Sequence, residues 1–340
     1  MTWSRWFVAT SAAALLCAAL GQVVRAQAER SPVQVTIDEW AVLTPKAHPH
    51  DPAFAPDGGL WYTGQRNNTI GRLDMSTGQA KEFPLPTANS GPHGITADNE
   101  GNIWFTGNTA AYIGKLDPKT GKVTEYKMTD PAARDPHTLL FDNQGTLWVT
   151  VQGGNFVGKL DPSTGAVTLQ SAPTPKSRPY GIVIMSDGTP VFDLFGTNKI
   201  GTIDPKTMAI TEYLVPEGAR PRRIAVDQKD IVWYTDYARG FLGRLDLKTK
   251  EVKEFASPGG PKSQPYGISV TSDGVIWYSE SGVQPNTLVR FDPATSSFHK
   301  WDIPSGGGVV RHMVTAPNGD LLLACSGVDK VARVRIRKAT

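Results

Sequence analysis

Beyond an apolar stretch near its start, the chain shows no helical periodicity. Its apolar positions fall instead in short runs of strand length, cut by Gly, Pro, Asn and Asp. One unit recurs: a Pro-aromatic start, an apolar strand, a Gly turn, a Trp-centred strand, an Ile-Gly-Lys-Leu strand, an Asp-x-x-Thr turn and a final strand. The clearest copies run from Gly91-Pro92-His93-Gly94-Ile95 to Tyr126 and from Gln264-Pro265-Tyr266-Gly267-Ile268 to Trp301. Trp61, Trp104, Trp148, Trp233 and Trp277 set the register, with Val191 and Leu322 in the fourth and seventh copies, at intervals of 42 to 45 residues. Asp74, Asp117, Asp161, Asp204, Asp246 and Asp292 are each followed three residues later by Thr, a pair whose side chains bond their own backbone in a turn.

Four strands per unit at this period predict an all-β fold, a seven-bladed β-propeller. The Trp residues sit mid-strand in apolar runs such as Asn102-Ile103-Trp104-Phe105-Thr106, which marks them as core between blades rather than as a ligand platform. The seventh copy begins at Arg311-His312 and stops near Arg337, one strand short. Val33-Gln34-Val35-Thr36-Ile37 alternates apolar and polar ahead of the first copy and supplies the missing outer strand, closing the ring without an exposed edge. Length alone would suggest about two domains; the repeats predict one, residues 29–340.

The N-terminus bears on compartment. Arg5 precedes an apolar run from Phe7 to Leu20, and Ala26-Gln27-Ala28 is a small-x-small cleavage site, so residues 1–28 read as a signal peptide and the mature chain as periplasmic or secreted. The run is short of the roughly 20 residues that span a bilayer. Leu16 before Cys17 does not suit lipid attachment, and with Cys17 removed Cys325 is alone, which excludes an intramolecular disulfide. A formal net charge of +3 without any Lys/Arg run argues against nucleic acid as partner. A closed ring needs no second copy for stability, so a monomer is expected.

Candidate chemistry concentrates where each blade opens. The residues after the opening Pro, or in its place, read His50, His93, His137, Tyr180, Arg222, Tyr266 and His312, and four of the six His in the chain fall at this position. They are expected to ring one mouth of the channel and bind a small organic molecule. Antiparallel pairing places a second set beside them: Gly64, Gly107, Val151, Leu194, Asp236, Glu280 and Cys325. Arg222 with Asp236, Tyr266 with Glu280 and His312 with Cys325 are then expected at the same mouth, with Gly64 and Gly107 leaving room opposite. His312 is the candidate general base. Glu280 with ring His is a candidate metal site, and a Cys325-His312 nucleophile pair stands against the reading of Cys325 as a small buried hydrophobe.

These residues carry a resemblance. Pro92-His93-Gly94-Ile95 and Pro179-Tyr180-Gly181-Ile182, Trp104-Phe105-Thr106, and Ile70-Gly71-Arg72-Leu73 are similar to the blade motifs of the streptogramin (virginiamycin B) lyases, over nearly the whole mature chain. The resemblance implies a seven-bladed propeller in which magnesium polarises a cyclic streptogramin B ester and a His removes a carbon-bound proton, opening the ring by elimination. His312 matches that base. Val310 stands where the family carries the first Glu of its Glu-x-His, Cys325 or Ser326 where it carries a second Glu, and Tyr266 where it carries another His, so the usual oxygen ligands of Mg2+ are missing. Two other functions compete: a non-catalytic propeller that presents its rim to a protein or cell-envelope partner, and a metal-dependent lactonase like the six-bladed gluconolactonases, which seven repeats disfavour.

Overall fold

A computed structural model describes Met1 and residues 31–339; the expected signal segment lies outside the described residues. The strands form seven sheets of four, each an antiparallel blade. Ring closure goes further than the sequence suggested: Val33–Ala41 pairs along its whole length with the last strand, Lys330–Lys338, from Val33 opposite Lys338 to Ala41 opposite Lys330. Among the described residues the only helical turn is Ser326–Val328, and no helix is long and apolar enough to cross a membrane.

The repeated Trp joins blade to blade. Trp61 packs with Ile103 and Phe105 of the next blade, and Trp104 with Leu147 and Val149 of the one after. All five are at most 1% exposed, which settles their role as core. Each indole N–H is also satisfied: Trp104, Trp148 and Trp233 donate to Asp98, Asp142 and Asp227 at 2.9–3.0 Å, carboxylates that also hold the turn between first and second strands. The glycine of the Ile-Gly-Lys-Leu strand answers to the aromatic after the Trp. Tyr62 lies opposite Gly71, and a Cβ there would stand 2.0 Å from its ring. In the Asp-x-x-Thr turns, Asp74 accepts from the N–H of Ser76 and Thr77, and Asp204 from those of Lys206 and Thr207, as their spacing predicts.

Every inner strand opens with a β-bulge. In blade one Pro49 pairs with Gly64 but Pro52 with Tyr62, so His50 and Asp51 together oppose the single residue Thr63. The Thr63 hydroxyl fills the gap, accepting from the Asp51 N–H at 3.1 Å and donating to the His93 carbonyl of the next blade at 2.8 Å. Thr106, Thr150, Thr235 and Ser279 repeat this bridge. The Thr of Trp-x-Thr is therefore a joint between neighbouring blades.

Candidate functional site

The bulge decides what faces the channel. Side chains on a regular strand alternate sides, but the extra residue lets two consecutive ones enter the lumen. In every blade but the sixth the first of the pair lines a hollow of about 400 Å³ at one mouth, where His50, His93, His137, Tyr180, Arg222 and Arg311 meet the loop residues His48, Arg66, Arg178 and Phe195; Tyr266, expected at this mouth, is buried behind it. In five blades the second of the pair lines a cavity of about 430 Å³ towards the other end, with Asp51, Thr138, Arg223 and His312 beside apolar walls such as Ile95, Leu139 and Met313.

In the upper tier His50, His93, His137 and Tyr180 pack in sequence round the channel, with ring centres 3.6, 3.8 and 3.7 Å apart and successive planes tilted by 41–48°. The hydroxyl of Tyr180 bonds that of Tyr266, which is fully buried with the Arg222 guanidinium 4.0 Å from its ring centre. Arg222 also lies 4.1 Å from the centre of Tyr237. Such stacking holds a cation without a carboxylate. Burial, assisted by neighbouring cations, lowers the pKa of His50 to about 4 and those of His93 and His137 well below the ordinary value, so all three are neutral near pH 7.

The lower tier is crossed by Arg223, which is 1% exposed. It donates to Asp51 Oδ1 at 2.7 Å and to Thr138 Oγ1 at 2.9 Å, joining blade five to blades one and three. Asp51 Oδ1 also takes the His50 Nδ1 contact at 2.8 Å. Burial opposes the Asp51 charge, but Arg223, His312 and His50 outweigh it and hold the carboxyl well below its usual range. His312 is lowered to about 3 by burial and by Arg223, and its Nδ1 has no partner.

The structure revises the expected site in three places. In blade seven Val310 pairs with Cys325 as Pro49 pairs with Gly64. Arg311 therefore holds the ring position and His312 the lower tier; without an opening Pro the offset of one residue was hidden. The second set does not face the mouth. Asp236 binds Arg239 at 2.6 Å and the Arg220 N–H, and Glu280 accepts from Ser257, Gly259 and Thr287. Neither carboxylate lines a cavity described above. Cys325 is fully buried in an apolar cluster with its thiol pushed up by burial, so it forms no activated pair with His312. Finally, the room expected at Gly64 and Gly107 is taken: a Cβ on Gly107 would stand 2.3 Å from the Tyr112 ring.

Magnesium is tested by the same contacts. It asks for hard oxygen donors. Positions 310 and 325 offer an aliphatic side chain and a thiol, Ser326 gives its hydroxyl proton to the Pro49 carbonyl, and Glu280 is already committed. The residues around His312 do not fit the family's magnesium.

The rim is cationic, and sequence reasoning found only Arg222 of it. Arg66, Arg178, Arg222 and Arg311 surround the hollow, and among the described residues none forms a salt bridge. The hollow's one carboxylate, Asp135, is raised to about 6 by burial. Arg178 stands immediately before an opening Pro, as His48 and Asp135 do, and Arg66 lies in the turn after a second strand, positions that were not read, whereas Arg223 and Asp51 were visible as immediate neighbours of ring residues.

Comparison with known proteins agrees with this architecture. The model of the virginiamycin B lyase family matches residues 21–194 and 191–339. A streptogramin B lyase structure is 26% identical, with a TM-score of 0.81 over 89% of this chain and 98% of its own. Virginiamycin B lyase from Staphylococcus aureus is 23% identical, with a TM-score of 0.80 over 88% and 99%. Hydrazine synthase of Kuenenia stuttgartiensis, 14% identical with a TM-score of 0.71 over 87% of this chain and 97% of its own, shares the fold alone. No curated protein matches the chain in sequence.

Proposed function

Starting from a chain that belongs to the virginiamycin B lyase family, we propose that this member is an exported, monomeric propeller that takes a small anionic organic molecule into the arginine-ringed mouth. The observation that carries the reading is the charge imbalance: four guanidiniums without carboxylate partners face one hollow of about 400 Å³. Guanidinium forks recognise carboxylate and phosphate groups with two parallel hydrogen bonds. Calorimetric titration of the mature protein with di- and tricarboxylates tests it. Binding that weakens with salt and falls in Arg222→Ala and Arg311→Ala supports the reading; equal affinity for the neutral methyl esters sinks it.

A second reading, elimination with His312 as base, is favoured by one contact set. A neutral imidazole with a free Nδ1 beside the Arg223 guanidinium can accept a carbon-bound proton while the cation steadies the developing negative charge. The substrate the family suggests is a cyclic ester such as streptogramin B. Incubation with streptogramin B, with and without magnesium or chelator, followed by mass spectrometry, separates the cases. Because the magnesium donors are missing, chelator-sensitive ring opening is not expected. Mass-neutral opening that survives chelator and is lost in His312→Ala establishes the base.

A further inference from the structure

We propose a divalent transition-metal site between the two tiers, built by His50, Asp51 and His93 of blades one and two. It is separate from the blade-seven position where magnesium was tested. One nitrogen from each His and a carboxylate oxygen of Asp51 all lie within 4.8 Å of one another, and the three residues are buried. Two of their atoms have no hydrogen-bond partner although buried: Asp51 Oδ2 and His93 Nδ1. Burying such groups unpaired is costly, and a bound cation is a physical way to satisfy both.

The surroundings are organised as metal sites are. His50 Nδ1 contacts Asp51 Oδ1 at 2.8 Å, the carboxylate–imidazole link that fixes a ligating ring and leaves its other nitrogen free to coordinate. Arg223 holds Oδ1 and Thr138, so Oδ2 is the oxygen left over. Bond lengths of about 2.0–2.1 Å to nitrogen and oxygen put tetrahedral ligand atoms roughly 3.3 Å apart, so the donors must draw together by side-chain rotation. Two imidazoles and one carboxylate select Zn2+, Co2+, Ni2+ or Fe2+ over Mg2+ and leave at least one position open. That position borders the hollow, since His50 and His93 both line it. An anion held by Arg222 could thus complete the coordination.

The test uses the mature protein without an affinity tag, stripped with chelator and titrated with Zn2+ against a chromophoric competitor. One Zn2+ per chain is expected, unaffected by millimolar Mg2+. His93→Ala should weaken it by more than the roughly 10–100-fold that loss of an outer partner costs, and Asp51→Asn by at least that range. His93 Nδ1 has no hydrogen bond to lose, which makes this variant the gentlest one for the fold. Should it fail to fold, pulsed EPR of Cu2+-loaded wild type decides, with coupling to two imidazoles expected. No stoichiometric Zn2+, unchanged affinity in folded His93→Ala, or absence of imidazole coupling would each overturn the site.

Discussion

The Arg223–Asp51 pair allows a quantitative test of how the channel is held together. Both groups are 1% exposed, and the 2.7 Å contact between them joins blades on opposite sides of the ring. Replacing Arg223 by Met keeps much of the volume but leaves Asp51 ionised in the interior with imidazoles and no guanidinium beside it. Removing one member of a buried pair costs about 3–5 kcal/mol. With an unfolding entropy near 2.1 cal/mol/K per residue, that deficit lowers the Tm of a chain this long by roughly 5–8 °C. The companion variant Asp51→Asn, combined with Arg223→Met, removes the stranded charge. The double variant should recover most of the loss, giving a coupling energy of about 2 kcal/mol or more, at the upper end of measured pair couplings. The assay is a double-mutant cycle by urea and thermal unfolding at pH 7.5 in chelator-treated buffer, which keeps any metal out of the comparison. Purely additive single effects would refute the reasoning, because the pair would then contribute no more than its separate packing.

Two further perturbations follow from the same contacts. Asp135 has its pKa raised to about 6 by burial, so its protonated form is favoured on folding and stability from this group is lost as pH rises through about 6. Anion affinity at the mouth should also rise as pH falls through that range, and Asp135→Asn should show the tighter affinity already at pH 7.5; a flat profile in wild type counts against Asp135 as the opposing charge. In blade four, Asp193 stands where blades one, two, three and five place the bridging Thr. Burial holds its pKa well above the ordinary carboxyl value, and its Oδ2 is unpaired. Asp193→Thr restores the hydroxyl bridge and is expected to stabilise by about 0.5–2 kcal/mol in urea titrations; destabilisation would show that the acid is wanted where it is.

The fold was legible because its rules are local and repeated. A Trp every 42 to 45 residues, an Asp-x-x-Thr turn and an alternating strand at Val33–Ile37 each state the same blade without reference to distant residues. The site was legible only in outline. The position after proline did identify the lining of the mouth in blades one to five. Three things escaped. A bulge changes register without altering the hydrophobic pattern, so Asp51 and Arg223 went unplaced. Val310 stands in for the missing proline of blade seven, which moved His312 down a tier. And the partners that occupy Asp236 and Glu280 come from loops up to 23 residues away, where no period announces them.

The bulge that opens each inner strand has a consequence for how such a channel can diverge. Its backbone is secured from behind, by hydroxyls such as Thr63 and Thr106 that tie one blade to the next. The two lumen-facing residues at each bulge are thereby spared the task of tying their own strand to the next blade. A single substitution can exchange imidazole for guanidinium at the mouth while the hydroxyl bridges behind it stay as they were. Architecture and chemistry are then free to drift at different rates, as a relative only 26% identical yet superposable at a TM-score of 0.81 illustrates.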